Sequence, residues 1–183
     1  MEGLIRDRMI DGVLDITTTE LADELVGGVL SAGPDRLTAA ADMGIPQVIS
    51  VGAVDMVNFG ARTTVPDRFK ERLFYEHNAT VTLMRTTLEE SLQIGEEVGR
   101  KASRSSGPVS VFFPSLGVSA IDVDGKPFDN RAARMAVWEG LRATCEENVE
   151  LKLFQNTINH EAFAEAAANR LLEMLEQNDK VSE

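Results

Sequence analysis

Three threonines follow one another where the first apolar segment of the chain gives way to a helical pattern. The stretch LDITTTELADELVGG, residues 14–28, places Thr17, Thr18 and Thr19 directly before Glu20. The spacing of Thr17 and Glu20 predicts a capping box, in which the Thr17 hydroxyl accepts an N–H group of the first helical turn and the Glu20 carboxylate accepts the Thr17 N–H. The remaining hydroxyls and free N–H groups favour an anion at this helix start. The alternative is a well-capped helix that binds nothing.

A second polar group follows the next apolar segment, PQVISVGAVDMVNFG, residues 46–60. Gly52 permits another backbone or a ligand to approach closely, because it has no Cβ. Asp55 is an acceptor, and the amide of Asn58 can both donate and accept hydrogen bonds. We therefore expect Gly52, Asp55 and Asn58 to form a second wall of a binding site.

An arginine stands at the end of a third apolar segment, in HNATVTLMRTTLEE, residues 77–90. A guanidinium at the carboxyl end of a strand suits a carboxylate or a phosphate, so Arg85 would supply charge and Thr86 a hydroxyl. The alternative is that Arg85 neutralises Glu89 or Glu90.

The segment FFPSLGVSAIDVDGKPFDN, residues 112–130, begins as a strand and continues as a long loop rich in Pro, Gly and Ser. Loops of this length on a compact domain often carry function. In parallel α/β sheets, ligands bind outside the carboxyl ends of the strands. We expect Gly117, Ser119 and Asp122 to border the opening of the site.

Evidence for catalysis is weaker than evidence for binding. His77 is the candidate acid or base, although a lone imidazole acts as a general base only with a partner. A triad of Ser119, His77 and Asp122 is an alternative, but LGVSAID does not match the G-x-S-x-G nucleophile elbow. The sequence therefore identifies no catalytic residue.

Motifs for phosphate and metal binding are also missing from the sequence, which has neither a P-loop nor a G-x-G-x-x-G motif. Asp15, Asp23, Asp55 and Asp122 would bind Mg²⁺ with nucleotide phosphates only if the fold brought them together. Spacing does not show this, so no metal site is predicted.

Alternating apolar and helical segments must position these residues. The predicted strands are 12–16, 46–51, 80–84, 108–113 and 150–154. The predicted helices are 18–27, 35–43, 66–76, 88–102, 130–146 and 160–177. Near-continuous apolar strands indicate burial on both faces. The pattern predicts a Rossmann-like three-layer α/β sandwich, with about five mostly parallel strands and helices on both faces.

Length and charge narrow the classes of partner. The 183 residues suit one α/β domain, residues 1–183, and the net charge is −12. This charge disfavours nucleic acids and anionic membranes as partners. The start of the chain does not read as a signal peptide, no apolar run is long enough to span a membrane, and Cys145 is the only cysteine. We expect a cytoplasmic protein.

Four long stretches, DGVLDITTTELADELVGGVLSAGPDRLTAA, VGAVDMVNFG, HNATVTLMRTT and GVSAIDVDGKPFDN, resemble uncharacterised protein family 0261. The resemblance extends over residues 3–175. The family includes an ATP-binding resistance protein of tomato that blocks tobamovirus replication. The resemblance thus implies a Rossmann-like, nucleotide (ATP)-binding domain of unsettled biochemical activity, and it leaves the participation of Mg²⁺ open.

Family members carry a preceding α/β half of similar size, so this sequence resembles their C-terminal half alone. The missing N-terminal half, or a second copy in a homo-oligomer, is the partner that the resemblance implies. Two other functions stay open. One is a metabolic enzyme acting on a small carboxylate or phosphate ester, and the other is a regulatory or oligomerisation module.

Overall fold

The computed structural model describes the backbone of residues 1–182 and the side chains of residues 1–178. Strands and helices alternate along the chain. The strands are β1 (Val13–Thr17), β2 (Gln47–Gly52), β3 (Met56–Phe59), β4 (Phe74–Asn78), β5 (Val81–Arg85), β6 (Val109–Pro114) and β7 (Val149–Phe154). The helices are α1 (Glu2–Arg6), α2 (Glu20–Val26), α3 (Ala39–Met43), α4 (Leu88–Ser103), α5 (Arg131–Thr144) and α6 (Glu161–Ser182).

A parallel sheet of four strands, in the order β1-β2-β6-β7, forms the centre of the domain. Every residue of β2 and β6 is buried, as their apolar sequences predict. On one face, Ile49 and Val111 pack with Ile94 of α4 and Val137 of α5. On the other face, residues of β2 and β6 pack against Phe163 of α6. The predicted α/β class with helices on both faces is confirmed.

The predicted strand at 80–84 forms, but it does not join the parallel sheet. It is β5, the central strand of a separate antiparallel sheet in the order β3-β5-β4. Met56 pairs with Arg85 and Phe59 with Thr82 across this sheet. The parallel sheet therefore has four strands, because β3 to β5 form an insertion between β2 and α4.

The predicted helix at 66–76 is wrong. Pro66 precedes only a short 3₁₀ turn, Asp67–Phe69, and the chain then extends into β4. The Phe69 ring packs against Phe59, with ring centroids 5.5 Å apart. Tertiary packing and pairing of β4 with β5 therefore override the weak helical pattern.

The predicted capping box of Thr17 and Glu20 is also wrong. The helix begins two residues later, after Thr19, and no side chain caps it. Thr18 instead donates its N–H to the Gly52 carbonyl and its hydroxyl to the Ser50 carbonyl. The end of β1 thus remains attached to β2 and cannot adopt the cap geometry.

The same sequence signature is correct at the start of α4. The Glu90 N–H donates to the Thr87 hydroxyl at 3.1 Å, and the Thr87 N–H donates to the Glu90 carboxylate at 2.7 Å. Here the cap residue has the extended backbone that a capping box requires.

Helices α4 and α5 pack closely on the same face of the parallel sheet. Gly95 of α4 lies so near the Val137 carbonyl of α5 that a Cβ would not fit there. Cys145, a free and half-buried cysteine directly after α5, packs against the same core. Among the described helices, none is both long and apolar enough to cross a membrane.

Candidate functional site

The loops at the carboxyl ends of the parallel strands lie against one another. Ala53, which follows β2, donates its N–H to the Val118 carbonyl, and Ile158 donates to the Gly117 carbonyl. Gly52 lies so close to the Ile16 carbonyl and to Thr17 that a Cβ would clash with the backbone. The three loops therefore form one edge of the sheet, as the prediction of a shared site requires.

Asn58 joins the threonine segment to this edge. Its amide nitrogen donates to the Thr19 hydroxyl at 3.1 Å and to the Asp23 carboxylate at 2.7 Å. Asp23 also accepts the backbone N–H groups of Asn58 and Leu30. Burial raises the pKa of Asp23, and these hydrogen bonds partly offset that shift.

Arg85 lies at the centre of a second buried cluster. Its guanidinium forms an ion pair with Asp122 at 3.0 Å and donates to the backbone oxygens of Phe128 and Asp55 and to the Thr86 hydroxyl. Only 6% of Arg85 and none of Asp122 is exposed. The guanidinium therefore connects the turn between β2 and β3, the end of β5 and the loop after β6, and its donors already have partners within the protein.

Asp55 lies beside this cluster and is only 2% exposed. One carboxylate oxygen accepts the Ser119 hydroxyl at 2.8 Å, whereas the other oxygen has no hydrogen-bond partner among the described residues. Burial and, secondarily, the charge of Asp122 raise the pKa of Asp55 to about 6. Ser119 in turn accepts the N–H groups of Ile121 and Asp122.

A third cluster contains Glu20, which the sequence placed with the threonines. Arg36 forms a two-bonded ion pair with Asp15 and lies 3.5 Å from the Glu20 carboxylate. Glu2 accepts the N–H groups of Leu37 and Ala39 and thereby attaches α1 to the start of α3. A cavity of about 370 Å³ adjoins this cluster and the exposed Thr17.

The predicted residues thus fall into three neighbouring groups rather than around one open cleft. The first group is Thr19 and Asn58, the second is Asp55, Arg85, Thr86, Ser119 and Asp122, and the third is Thr17 and Glu20. Thr18, Gly52 and Gly117 lie within the backbone connections of the edge. Most of these side chains form hydrogen bonds with one another, so they hold the loops at the carboxyl edge of the sheet in place.

A cavity of about 930 Å³ opens at this edge beyond β6 and β7, and we call it the β6–β7 cavity. Its polar lining is Ser115, Asp124, Asp129, Arg131, Arg134, Gln155 and Thr157. Its apolar lining is Leu116, Val123, Met135 and Leu153. This volume is sufficient for a nucleotide-sized ligand.

Two arginines of α5 line this cavity and differ in their burial and in their partners. Arg134 is buried and donates to the Asp122 carbonyl and, at 3.0 Å, to the Asp129 carboxylate. Arg131, the first residue of α5, is exposed, and no described residue forms an ion pair with it. Asn130 caps the helix by accepting the Ala133 N–H. Arg131 is therefore the cation of this cavity that is available to a ligand.

A smaller cavity of about 390 Å³ lies against the antiparallel sheet, and we call it the Tyr75 cavity. It is lined by Met56, Asn58, Tyr75, His77, Val81, Leu83, Ser119, Ala120 and Ile121. His77 is exposed, and its ring lies 6.4 Å from that of Tyr75. The fold thus brings His77 and Ser119 to one cavity, while Asp122 is paired with Arg85 instead.

The four aspartates that could have formed a Mg²⁺ site do not converge on one point, although Asp55 and Asp122 lie in the same cluster. Asp15 pairs with Arg36, Asp23 with Asn58, Asp55 with Ser119 and Asp122 with Arg85. Within the part of the chain that the structure describes, no group of three or more His, Cys, Asp or Glu residues could hold a metal ion.

Sequence reasoning missed the polar residues that line the β6–β7 cavity, chiefly Arg131, Gln155 and Thr157. The signal for Arg131 was present, because Asn130 is a good cap residue and follows the long loop. Gln155 and Thr157 follow a predicted strand, but nothing in their types marks them. Arg36 was missed because its partner Asp15 lies 21 positions earlier.

Comparison with known proteins identifies relatives over nearly the whole chain. A protein of Clostridium tetani described as a UPF0261 protein is 52% identical over 97% of this chain, and a UPF0261 protein of Mesorhizobium japonicum is 46% identical over 92%. The ToMV resistance protein Tm-1 of Solanum lycopersicum is 43% identical over 95%. The chain spans 44%, 43% and 23% of the lengths of these three proteins.

The model of the family described as "Uncharacterised protein family (UPF0261) C-terminal domain" matches residues 1–175. This match and the identities above agree with the resemblance carried by the threonine, NFG and GVSAID stretches. The chain therefore belongs to the UPF0261 family and corresponds to its C-terminal domain.

Proposed function

We propose that this domain binds a small phosphate-bearing anion, with ATP as the expected nucleotide, in the β6–β7 cavity. The observation that carries the proposal is Arg131, an exposed cation without a protein partner at the start of α5 and at the carboxyl edge of a parallel sheet. A phosphate there would accept from the guanidinium in a two-bonded arrangement.

The rest of the cavity suits the other parts of a nucleotide. Leu116 and Leu153 are 53% and 39% exposed and offer an apolar surface to a planar base. Ser115, Gln155 and Thr157 add hydrogen-bonding groups to the lining. The buried residues of the edge, including Arg85 and Asp122, hold the loop after β6 in place.

Two carboxylates in the lining oppose a phosphate. Asp129 is already neutralised, because it accepts from Arg134 and from the Gly125 N–H, and these bonds lower its pKa. Asp124 lies beside Asp129, and no described residue forms an ion pair with it. We therefore include Mg²⁺ only as the ATP complex, because a divalent cation between the phosphates and Asp124 would remove their repulsion.

Calorimetry and thermal unfolding with ATP and MgCl₂ test the proposal. At a free ligand concentration of about 100 times Kd, the free energy of unfolding should rise by about 2.7 kcal/mol. Arg131→Gln should weaken binding about tenfold, because it removes the charge without disturbing a buried contact. The control is Arg142→Gln in the last turn of the same helix, which should bind as the wild type does.

Equal binding by wild type and Arg131→Gln would contradict the proposed site. If ATP stabilised a full-length relative but not this chain, the site would need the part of the relatives that lies outside this sequence.

A second candidate function, a module that acts through protein contacts, is favoured by exposed apolar side chains in the last turn of α2 and directly after it. Leu25, Val29 and Leu30 are 44%, 65% and 51% exposed. Light scattering at increasing protein concentration tests self-association, and a strict monomer would argue against this candidate.

The remaining candidate, an enzyme that acts on a small carboxylate or phosphate ester, is favoured by the shared cavity of His77 and Ser119. Screening phosphate esters with wild type and His77→Ala tests it. Turnover that the variant retains in full would exclude His77 as the acid or base.

A further inference from the structure

The Tyr75 cavity contains no Lys or Arg in its lining, in contrast to the β6–β7 cavity. Ser119, Ala120 and Ile121 form its wall on the loop after β6, whereas the β6–β7 cavity uses Ser115 and Leu116 before them and Val123 after them. The two cavities therefore flank the same loop and differ in charge: the β6–β7 cavity is lined by two arginines and two aspartates, whereas the Tyr75 cavity is lined by neither Asp, Glu, Lys nor Arg.

An unused acceptor belongs to this cavity. Asn58 is 8% exposed, and its amide nitrogen donates to the carboxylate of Asp23. An ionised carboxylate can only accept, so this contact fixes the orientation of the amide and leaves Oδ1 as the remaining acceptor. Among the described residues, no donor reaches Asn58 Oδ1. Oδ1 is not among the fully buried side-chain atoms that lack a partner, so it is accessible at the surface that Asn58 contributes to the cavity, where a ligand N–H group can donate to it.

Two carboxylates stand directly behind the lining. Asp23 contacts Asn58 at 2.7 Å, and Asp55 accepts the Ser119 hydroxyl at 2.8 Å while its second oxygen has no partner. The guanidinium of Arg85 forms its ion pair with Asp122 and donates only to the backbone oxygen of Asp55, so its charge offsets that of the Asp55 carboxylate in part. The potential in the cavity therefore favours a positive charge.

Aromatic rings complete the lining. Tyr75 is half-buried, and its ring and that of His77 are inclined by 50°. Met56, Val81, Leu83 and Ile121 supply apolar surface around them. Aromatic faces attract organic cations, and the apolar side chains favour a ligand with a hydrocarbon body.

We propose that the Tyr75 cavity binds a small protonated amine with an apolar body, whose N–H group donates to Asn58 Oδ1. The charge interacts with the aromatic rings and with the carboxylates of Asp23 and Asp55. This site is independent of the anion site proposed for the β6–β7 cavity.

Three probes of similar shape and different charge test the proposal by calorimetry or ligand-observed NMR. Benzylamine is cationic at pH 7, benzyl alcohol is neutral and benzoate is anionic. Benzylamine should bind about tenfold more tightly than benzyl alcohol, and benzoate should not bind. Equal affinity of the amine and the alcohol, or absence of benzylamine binding up to about 10 mM, would overturn the proposal.

Two variants localise the binding without touching the buried polar clusters. Ala120→Trp places an indole at an exposed position of the lining and should weaken benzylamine binding at least about tenfold. Tyr75→Leu keeps an apolar side chain but removes the ring, and should weaken it about threefold to tenfold. Leu116→Trp adds the same indole to the β6–β7 cavity and should leave benzylamine binding unchanged.

Unchanged binding in Ala120→Trp, or an equal loss in Leu116→Trp, would show that the amine binds elsewhere and would refute the site. Thermal unfolding of each variant verifies that it is folded. Because ATP binding is measured through Arg131, failure of one proposal is distinguishable from failure of the other.

Discussion

Arg85 and Arg131 stand in similar places along the chain and have opposite environments. Each lies close to the start of a helix that leads away from the same edge of the domain. Arg85 is surrounded by carbonyl, hydroxyl and carboxylate oxygens of its own protein, whereas Arg131 is exposed and has no ion-pair partner among the described residues.

The difference shows that an arginine after a strand does not by itself indicate a ligand. The loop after β6 folds over Arg85 and brings Phe128 and Asp122 to it, so this guanidinium stabilises the edge. The same loop ends at Asn130, which leaves Arg131 at the surface of the cavity. Arg85 thus stabilises the loop after β6, and the loop in turn positions Arg131 at the cavity.

The strongest test of this contrast is Arg85→Met. Methionine keeps much of the apolar volume but donates no hydrogen bond, so Asp122 would lose its closer cation in a fully buried position. We expect the free energy of unfolding to fall by about 3–5 kcal/mol in urea denaturation. The double variant Arg85→Met/Asp122→Asn should lose less than Arg85→Met alone, and a larger loss would contradict the pairing.

Asp55→Asn should change the pH dependence of stability. Burial raises the pKa of Asp55 from 3.8 to about 6, so between pH 4 and 6 the folded protein binds this proton more tightly than the unfolded chain does. Ionisation of Asp55 therefore lowers the free energy of unfolding as pH rises through this window, by at most about 3 kcal/mol. Asp55→Asn cannot ionise at this position, so its free energy of unfolding does not show this decrease.

Denaturation curves at several pH values measure the difference between wild type and Asp55→Asn. The difference should shift in favour of the variant as pH rises from 4 to 6. A constant difference would mean that Asp55 has an ordinary pKa in the folded protein.

Arg134→Lys tests a residue that contacts both the buried cluster around Arg85 and the lining of the β6–β7 cavity. The guanidinium donates to the Asp122 carbonyl in the buried cluster and to Asp129 in the cavity lining. A lysine cannot reproduce both contacts with the same geometry, so we expect a loss of about 1–2 kcal/mol in thermal or urea unfolding. If Arg134→Lys lowered the free energy of unfolding as much as Arg85→Met does, Arg134 would belong to the buried cluster of Arg85 and not to the cavity lining.

Arg131→Gln should have the smallest effect on folding, within about 0.5 kcal/mol, because the side chain is exposed and unpaired among the described residues. Its effect should appear only in anion binding. A large loss of stability would show that Arg131, like Arg85, is a structural residue.

The sequence predicted the buried parallel strands well, because continuous apolar runs such as residues 108–113 have few alternatives. It failed at β4, whose residues FYEHN are mixed in polarity and form an edge strand. It also could not distinguish Thr17–Glu20 from Thr87–Glu90, although both have the capping-box spacing. Only the three-dimensional pairing of Thr18 with Gly52 and Ser50 decides between them.

Site prediction had a similar limit. Residue types showed that Asp55, Arg85, Ser119 and Asp122 are polar groups near strand ends, and the fold does bring them together. Types alone could not show that these residues bind one another, because their partners lie 37 and 64 positions apart. Arg131 is available to a ligand because no described residue forms an ion pair with it, and only the three-dimensional structure shows this.

The thiol directly after α5 makes this helix a convenient place to observe local opening. Burial raises the pKa of Cys145 to about 11, so little thiolate is present at neutral pH and reaction with a thiol reagent is slow while the helix end stays packed. Since α5 begins at Arg131, the labelling rate reports whether an event at one end of the helix is felt about 20 Å away at the other.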